Sequence, residues 1–369
     1  MSQNLGPKVE EIVAALDTAF PAQWAEPWDN VGLAVGDPAA RVTGVLVCLD
    51  VTREAVSRAA ELGLNVLVTH HPAFLDPAVA FGPGSVATLA LSQGIALIAV
   101  HTNLDRAPGG AGSLPAALGL DPGVPLERSL QPMTLVTVYA PLEGAKRVRE
   151  AMAAAGAGRI GLYEGCSFSS EGEGHFEPLA GAAPVVGAGG FLTQVPEERV
   201  EVVCVRGRAS AVARAAVEAH PYEEPLVVVS EIRIARGVAR LGRVCDQSAP
   251  GTLGQFAQLV SARLGCVPRV WGDAERQVFR IATATGSAGS LISDAIDAGA
   301  DVLVAGEVRY HDALAAVESG LAVIEAGHDV TEWPLVPVLS SAIEHVVGSD
   351  VRMVIDAPSR GWWTPQEAL

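Results

Sequence analysis

No apolar run in the 369-residue chain reaches the roughly 18 residues that a membrane-crossing helix needs. The opening MSQNLGPKVEEIV has neither the basic start nor the apolar stretch of a signal peptide. A cytoplasmic protein without membrane contact is the expectation. Cysteine is sparse as well: Cys48, Cys166, Cys204, Cys245 and Cys266 are odd in number, scattered and never spaced as CxxC. That pattern argues against a disulfide framework and against a thiolate zinc site, and leaves plain buried thiols. Basic side chains are few, 25 Lys and Arg against 42 Asp and Glu, for a formal net charge of −17. Such a surface repels phosphate backbones, so no nucleic-acid partner is expected. A bound nucleotide would need its charge met by metal ions or a few placed arginines. Solenoid repeats, heptads and low-complexity tracts are also absent.

What is present is a large apolar fraction, 49% of the chain, enough for more than one compact unit at this length. The first third alternates helical and strand-like segments: VEEIVAALDTAF helix, RVTGVLVCLD strand, VTREAVSRAAELG helix, LNVLVTHH strand, SVATLALSQG helix, GIALIAVHTNLD strand running into a polar loop. Alternation of this kind predicts a mostly parallel sheet with helices on its faces. The Gly/Pro-rich stretch 107–123 reads as connecting turns. From about Met133 the order changes to strand, helix, a hairpin-like RIGLYEGCSFSSEGEGHF, strand, helix, strand, which is the order of a ferredoxin-like split unit. The earlier pattern then returns with FRIATATG, AGSLISDAIDAG, ADVLVAG, YHDALAAVESG and LAVIEAG. The predicted fold is therefore α/β, a split domain of residues 1–130 and 235–369 interrupted by an inserted α+β ferredoxin-like domain at 131–234.

Four of eight histidines, His70, His71, His101 and His328, fall where a predicted strand has just ended, and His311 lies in a helix after another strand. Ligands of open α/β sheets bind beyond the carboxyl ends of the strands, so residues about 260 positions apart can share one pocket. In VTHHP, adjacent side chains of an extended chain point apart, so His70 and His71 suit two neighbouring ions better than one. The plain alternative is a pair of imidazoles capping a strand. HTNLD offers His101 and Asp105; an Asx-type turn around Asn103 and Asp105 is the competing reading. GHDVTEWP puts His328 past a strand and Glu332 at the start of the next helix, where Pro334 is tolerated and a carboxylate meets the positive helix end. Glu332 could equally be an ordinary first-turn residue, or could bridge two ions roughly 3.5 to 4 Å apart. Together these segments supply His70, His71, Asp105, His328 and Glu332, imidazoles and carboxylates without thiolate, which suit Zn, Fe, Mn, Co or Ni.

Weaker candidates are His311 with Asp312, which read as a surface pair or as support for the ligands. The loop EPWDNVGL, with Glu26, Trp28, Asp29 and Asn30, either lines a pocket or is an ordinary packed turn. ATGSAGS could hold an anion on its amides but lacks a phosphate-loop spacing. AHPYEEP, with His220, Tyr222, Glu223 and Glu224, reads as a helix-ending turn. Arg106 and Arg309 read as solvated surface.

The segments EPWDNVGLAVGDP, VTHHP, HTNLDRAPGG, GEVRYHDAL and AGHDVTEWP closely resemble those of the dinuclear-metal hexameric proteins known as GTP cyclohydrolase 1 type 2 homologues, the NGG-interacting-factor-like family. AGAGRIGLYEGCSFSSEGEGHFEP and AHPYEEP resemble the PII/CutA-like domain inserted in its longer members. The resemblance implies His70, Asp105 and Glu332 on one divalent ion and His71, His328 and Glu332 on a second, with His101 close by, in a toroidal homohexamer. Two positions depart from the family pattern: AGS follows PGG where a Val-Asn-Asp-like run is usual, and Asp329 stands where an aromatic is usual.

Two functions follow as expectations. The first is a metal-dependent hydrolase of a small nucleotide, for which the family name implies GTP ring opening, with His101 as the catalytic proton carrier. The second is a non-enzymatic metal-binding or regulatory hexamer whose insert senses a ligand or partner.

Overall fold

The computed structural model describes residues 6–76, 80–161, 163–349 and 351–356. Residues 1–5, 77–79, 162, 350 and 357–369, all included in the sequence-based domain assignment, lie outside the described residues. The chain divides into two compact units. One is formed by the residues up to Arg128 and from Val238 onward, the other by Ser129–Gly237.

The first unit contains two sheets where the sequence predicts one. In the first sheet, β2 (Gly44–Cys48), β3 (Val66–Thr69) and β4 (Ala96–Ala99) run parallel with the late strand β15 (Arg352–Ile355), and β1 (Gly32–Val35) closes one edge antiparallel, in the order β1-β4-β3-β2-β15. In the second, β12 (Gln277–Thr283), β13 (Val302–Ala305) and β14 (Ala322–Glu325) form a parallel centre. It is flanked antiparallel by β11 (Arg269–Trp271) on one side and by β10 (Arg243–Thr252) and β5 (Val124–Pro125) on the other. Helical crossovers join β2 to β3 to β4 and, separately, β12 to β13 to β14, which makes each set parallel, while β15 joins β2 from the far end of the chain.

Central strands such as VLVT, ALIA and VLVA are buried along their whole length. A strand covered on both faces reads as a continuous apolar run for this reason. Their side chains alternate between two cores. Val66 and Val68 pack with Ile12, Leu16 and Leu339, while Leu67 packs with Val56, Ala59 and Ala90. In the second sheet Val302 and Val304 meet Phe256 and Val260, and Leu303 and Ala305 meet Ala313 and Ala316. Each of the valines, leucines, isoleucines and phenylalanines among them contributes roughly 1.5–3 kcal/mol of burial, the alanines less. The covering helices are closed by local chemistry: Thr52 accepts from Ala55 N to start Arg53–Glu61, and Thr252 and Gln255 form a reciprocal cap on Leu253–Leu264.

Two local expectations are corrected. HTNLD forms a short helix, Thr102–Arg106, rather than a loop, and the stretch after it contains two more, Pro108–Ala111 and Ser113–Leu118. His328 likewise opens a five-residue helix that ends at Glu332, and the long helix Leu335–Val347 begins only after Pro334. Glu332 is thus in a last turn, not a first one.

The second unit runs β6 (Gln131–Pro141), helix Leu142–Ala154, β7 (Ser167–Phe176), β8 (Thr193–Cys204), helix Ala209–Ala219 and β9 (Val227–Ile234). Its sheet order β7-β8-β6-β9, antiparallel throughout, is that of a split βαβ unit. Both helices cover one face, where Val136, Val138, Val200 and Val202 meet Val148, Met152, Val212 and Ala216. Among the described residues, the segment expected as a hairpin pairs with itself between Ile160 and Tyr163, and its second half forms β7 and joins β8. Among the described residues no helix is long and apolar enough to cross a membrane.

Candidate metal centre

The carboxyl ends of the parallel strands of both sheets in the first unit meet at one place. From the first sheet come Asp50 after β2, His70 and His71 after β3, and His101 and Asp105 after β4. From the second come Thr285 after β12, Glu307 after β13, and His328 and Glu332 after β14. The turn carrying the vicinal histidines is pinned: His71 N donates to Leu49 O at 2.9 Å, and Thr69 Oγ1 donates to His71 O at 2.7 Å.

At the centre is Glu332, almost fully buried. His70 Nε2 and His328 Nε2 lie 3.6 and 3.0 Å from its Oε1, and His71 Nε2 lies 3.0 Å from its Oε2. Asp105 Oδ2 is 3.6 Å from His70 Nε2. Among the described residues, three groupings bring their donor atoms within 4.8 Å of one another: His70, Asp105 and Glu332; His71, His328 and Glu332; and His70, His71 and His101. Hence His70 and His71 reach one cluster but different oxygens of Glu332.

The other nitrogen of each imidazole is already engaged. His70 Nδ1 is 3.0 Å from Val100 O, His71 Nδ1 2.7 Å from Asp50 Oδ1, His101 Nδ1 2.9 Å from Asp29 Oδ1, and His328 Nδ1 3.3 Å from Glu307 Oε2. A carbonyl or carboxylate beside Nδ1 fixes the proton there and turns the Nε2 lone pair toward the cluster, the arrangement that metal-ligating histidines show. Two atoms in the middle are left without a hydrogen bond, the buried His70 Nε2 and Glu332 Oε2. The 3.0 Å approach of His71 to that oxygen is an ion-pair distance without hydrogen-bond geometry. Buried polar atoms rarely stay unpaired. A divalent cation answers all of these groups at once, and the donor set of imidazole and carboxylate fits one.

Charge balance points the same way. Burial pulls His71 toward the neutral form, but Asp50 and Glu332 outweigh it and raise its pKa to about 10. The hydrogen bond to Glu332 leads the rise of His328 to about 9. His70 is raised as well, its burial overcome by Asp105 and Glu332. Glu332 is held well below the usual carboxylate range despite its burial, by His328, His70 and His71. Asp105 is pushed up, first by burial and then, against the pull of His70, by the neighbouring Glu332. Two carboxylates this close share a demand for positive charge that protons or metal cations can meet.

Glycine makes the fit possible. Gly286, at φ +59°, lies so close that a Cβ there would stand 2.3 Å from Glu332 Oε1 and 3.1 Å from His328 Nε2. The ATGSAGS loop, considered as an anion cradle, spends its groups internally: Gly286 N donates to Thr331 Oγ1, Ala288 N to Glu307 O, and Thr285 Oγ1 to Asp105 Oδ1 at 2.6 Å. These bonds tie the loop to the imidazole–carboxylate cluster. The EPWDN loop also serves the cluster, because Asp29 accepts from Thr102 N and Oγ1 while orienting His101. Arg106, expected at the surface, is buried and joins Glu127 and Glu26. His311 is exposed, and Asp312 pairs with Arg309 at 2.7 Å, away from the cluster. The sequence alone does not single out Asp50 and Glu307. A lone carboxylate just after a strand was the available signal, and it is too common to single them out.

Fold and site together define an α/β protein with a buried imidazole–carboxylate cluster able to hold metal. The profile of the Duf34/NIF3 (NGG1p interacting factor 3) family matches residues 7–357, and the chain belongs to that family. It is 35% identical over 338 residues to the GTP cyclohydrolase 1 type 2 homolog of Mycobacterium leprae (strain TN), covering 89% of this chain and 87% of that one. The GTP cyclohydrolase 1 type 2 homolog of Bacillus subtilis (strain 168) is 35% identical over 331 residues, covering 86% and 87%. A solved Bacillus cereus protein related to NIF3 superposes with a TM-score of 0.64 at 32% identity, covering 97% of this chain and 99% of that one.

Proposed function

We propose that the chain is a metal-dependent hydrolase that acts on GTP or another small nucleotide with two divalent cations, drawn from Zn, Fe, Mn, Co and Ni. His70, Asp105 and Glu332 would hold one and His71, His328 and Glu332 the other. The observation that carries the reading is the pair of orphaned buried atoms, His70 Nε2 and Glu332 Oε2, amid histidines whose Nδ1 atoms are already committed. When bound, paired cations supply Lewis acidity and lower the pKa of a water toward neutrality. His101, turned by Asp29, has its Nε2 left to carry a proton from the attacking water to the leaving ring nitrogen as the purine imidazole ring opens. The names of the relatives supply GTP as the first substrate to try. The proposal extends to a cytoplasmic homohexamer, with a mass in solution of six 38.0 kDa chains.

The test is turnover of GTP, other nucleotides and phosphoesters by metal-reconstituted protein. The expected result is metal-dependent hydrolysis of a nucleotide that falls to background in His71→Ala and Glu332→Ala. If metal-replete protein turns over none of them, the second reading takes its place: a regulatory metal-binding hexamer with a PII/CutA-like sensing insert. The observation favouring that reading is that the insert has a cavity of its own.

A further inference from the structure

The Ser129–Gly237 unit forms an open pocket of about 630 Å³ between the ends of β7 and β8, the segment 178–186 and the turn after helix Ala209–Ala219. That volume lies in the range of small-molecule pockets. Its walls are of two kinds. Phe176 and Tyr222 meet edge to face at 5.8 Å, with Tyr139 beside them, and Val185, Val186 and Leu226 offer apolar surface that the unit itself leaves exposed. The polar groups are nearly all of one sign: Glu173, Glu197, Glu223 and Glu224 line the cavity, and its lining includes neither lysine nor arginine. His175, also in the lining, pairs with Glu173 at 3.2 Å.

Glu197 is placed deliberately. Tyr222 donates its hydroxyl to Glu197 Oε1 at 2.8 Å. The opposite strand has glycine at 174, where a Cβ would stand 2.3 Å from Glu197 Oε2. Tyr222 is itself held by the turn, since its N–H donates to His220 Nδ1 at 2.9 Å while His220 Nε2 donates to Tyr139 O at 2.8 Å. The AHPYEEP segment is therefore more than a helix-ending turn: it sets a ring and a carboxylate on one wall.

We infer that this cavity binds a small organic cation, an amine or guanidinium with an apolar or aromatic body. The aromatic faces and carboxylates suit the charged head, and the exposed valines and leucine suit the body. A bare metal ion fits poorly, because among the described residues the groups able to hold one all lie at the cluster of the first unit. The inference rests on the insert alone and is independent of the hydrolase reading.

Titration calorimetry of the full chain with phenethylammonium chloride tests it, with phenylacetate and phenethyl alcohol as anionic and neutral counterparts. The expected result is saturable binding of the ammonium ion, about tenfold weaker in Glu197→Gln. It should weaken also in Tyr222→Phe, which keeps the ring but frees the carboxylate. Binding should persist in Glu332→Ala, which separates this cavity from the metal cluster. The inference is overturned if the ammonium ion does not bind, or if phenylacetate or the alcohol binds as tightly. It is also overturned if Glu197→Gln and Tyr222→Phe, with melting curves like the parent, bind unchanged, or if Glu332→Ala abolishes binding.

Discussion

Glu332 is held in place as much by what is missing beside it as by what touches it. Gly286→Ala adds one methyl at 2.3 Å from its Oε1, in a left-handed backbone that side chains avoid. The expected outcome is displacement of the Glu332 carboxylate and loss of bound metal, read by elemental analysis of the purified variant. A folded variant retaining full metal content would show that Glu332 is not the shared ligand. The buried thiols give a second expectation. Cys48 is pushed up to about 12, first by burial and then by the carboxylates of Asp356 and Asp50. Cys245 is raised to about 11, again mainly by burial. Because the thiolate is the reactive form, only about one Cys48 in ten thousand is armed at pH 8. Native protein should therefore label slowly at Cys48 and Cys245, with rates climbing about tenfold per unit from pH 8 to 10; peptide mapping after timed alkylation checks this. Of the cluster, the histidines and Asp105 stood out in the sequence because strand ends could be recognised. Asp50, Glu307 and Thr285 did not, because their role depends on which strand neighbours which.

The short helix Thr102–Arg106 shows how an element serves the centre from both its ends. Its N-cap His101 and its Asp105 face the cluster, while Arg106 turns into the protein toward Glu127 and Glu26. Removing that guanidinium takes two charge-assisted hydrogen bonds, at 3.1 and 3.3 Å, away from the almost fully buried Glu127. Arg106→Ala should cost about 1.5–3 kcal/mol in urea unfolding, the range for hydrogen bonds to a charged group; a cost below about 1 kcal/mol would mean that solvent or neighbouring groups take over the guanidinium's contacts. The helix went unread because five residues hold too few turns for a period to show, and the Gly/Pro-rich stretch beyond it hid two further short helices for the same reason. The long strands and helices were legible, because VLVT and VLVA are apolar runs and Arg53–Glu61 and Leu253–Leu264 carry their own caps. The split of the α/β unit into two sheets was not, since pairing partners are chosen by tertiary packing rather than by the strand's own residues.

At the scale of the molecule, the cluster joins segments that start at His70 and end at Glu332, drawn from both sheets of one unit, while the insert between them folds around its own core. Cations at that junction would tie the two halves of the unit together, so chelation should lower the melting temperature and readdition should restore it. Metal stoichiometry tests this account most directly: native chain and Glu332→Ala are purified alike, exposed to divalent metal, desalted and analysed per mole of protein. Two ions per native chain and none firmly held in Glu332→Ala is the predicted result. A folded native chain that retains no metal, or a Glu332→Ala chain that retains as much as the native one, would contradict it.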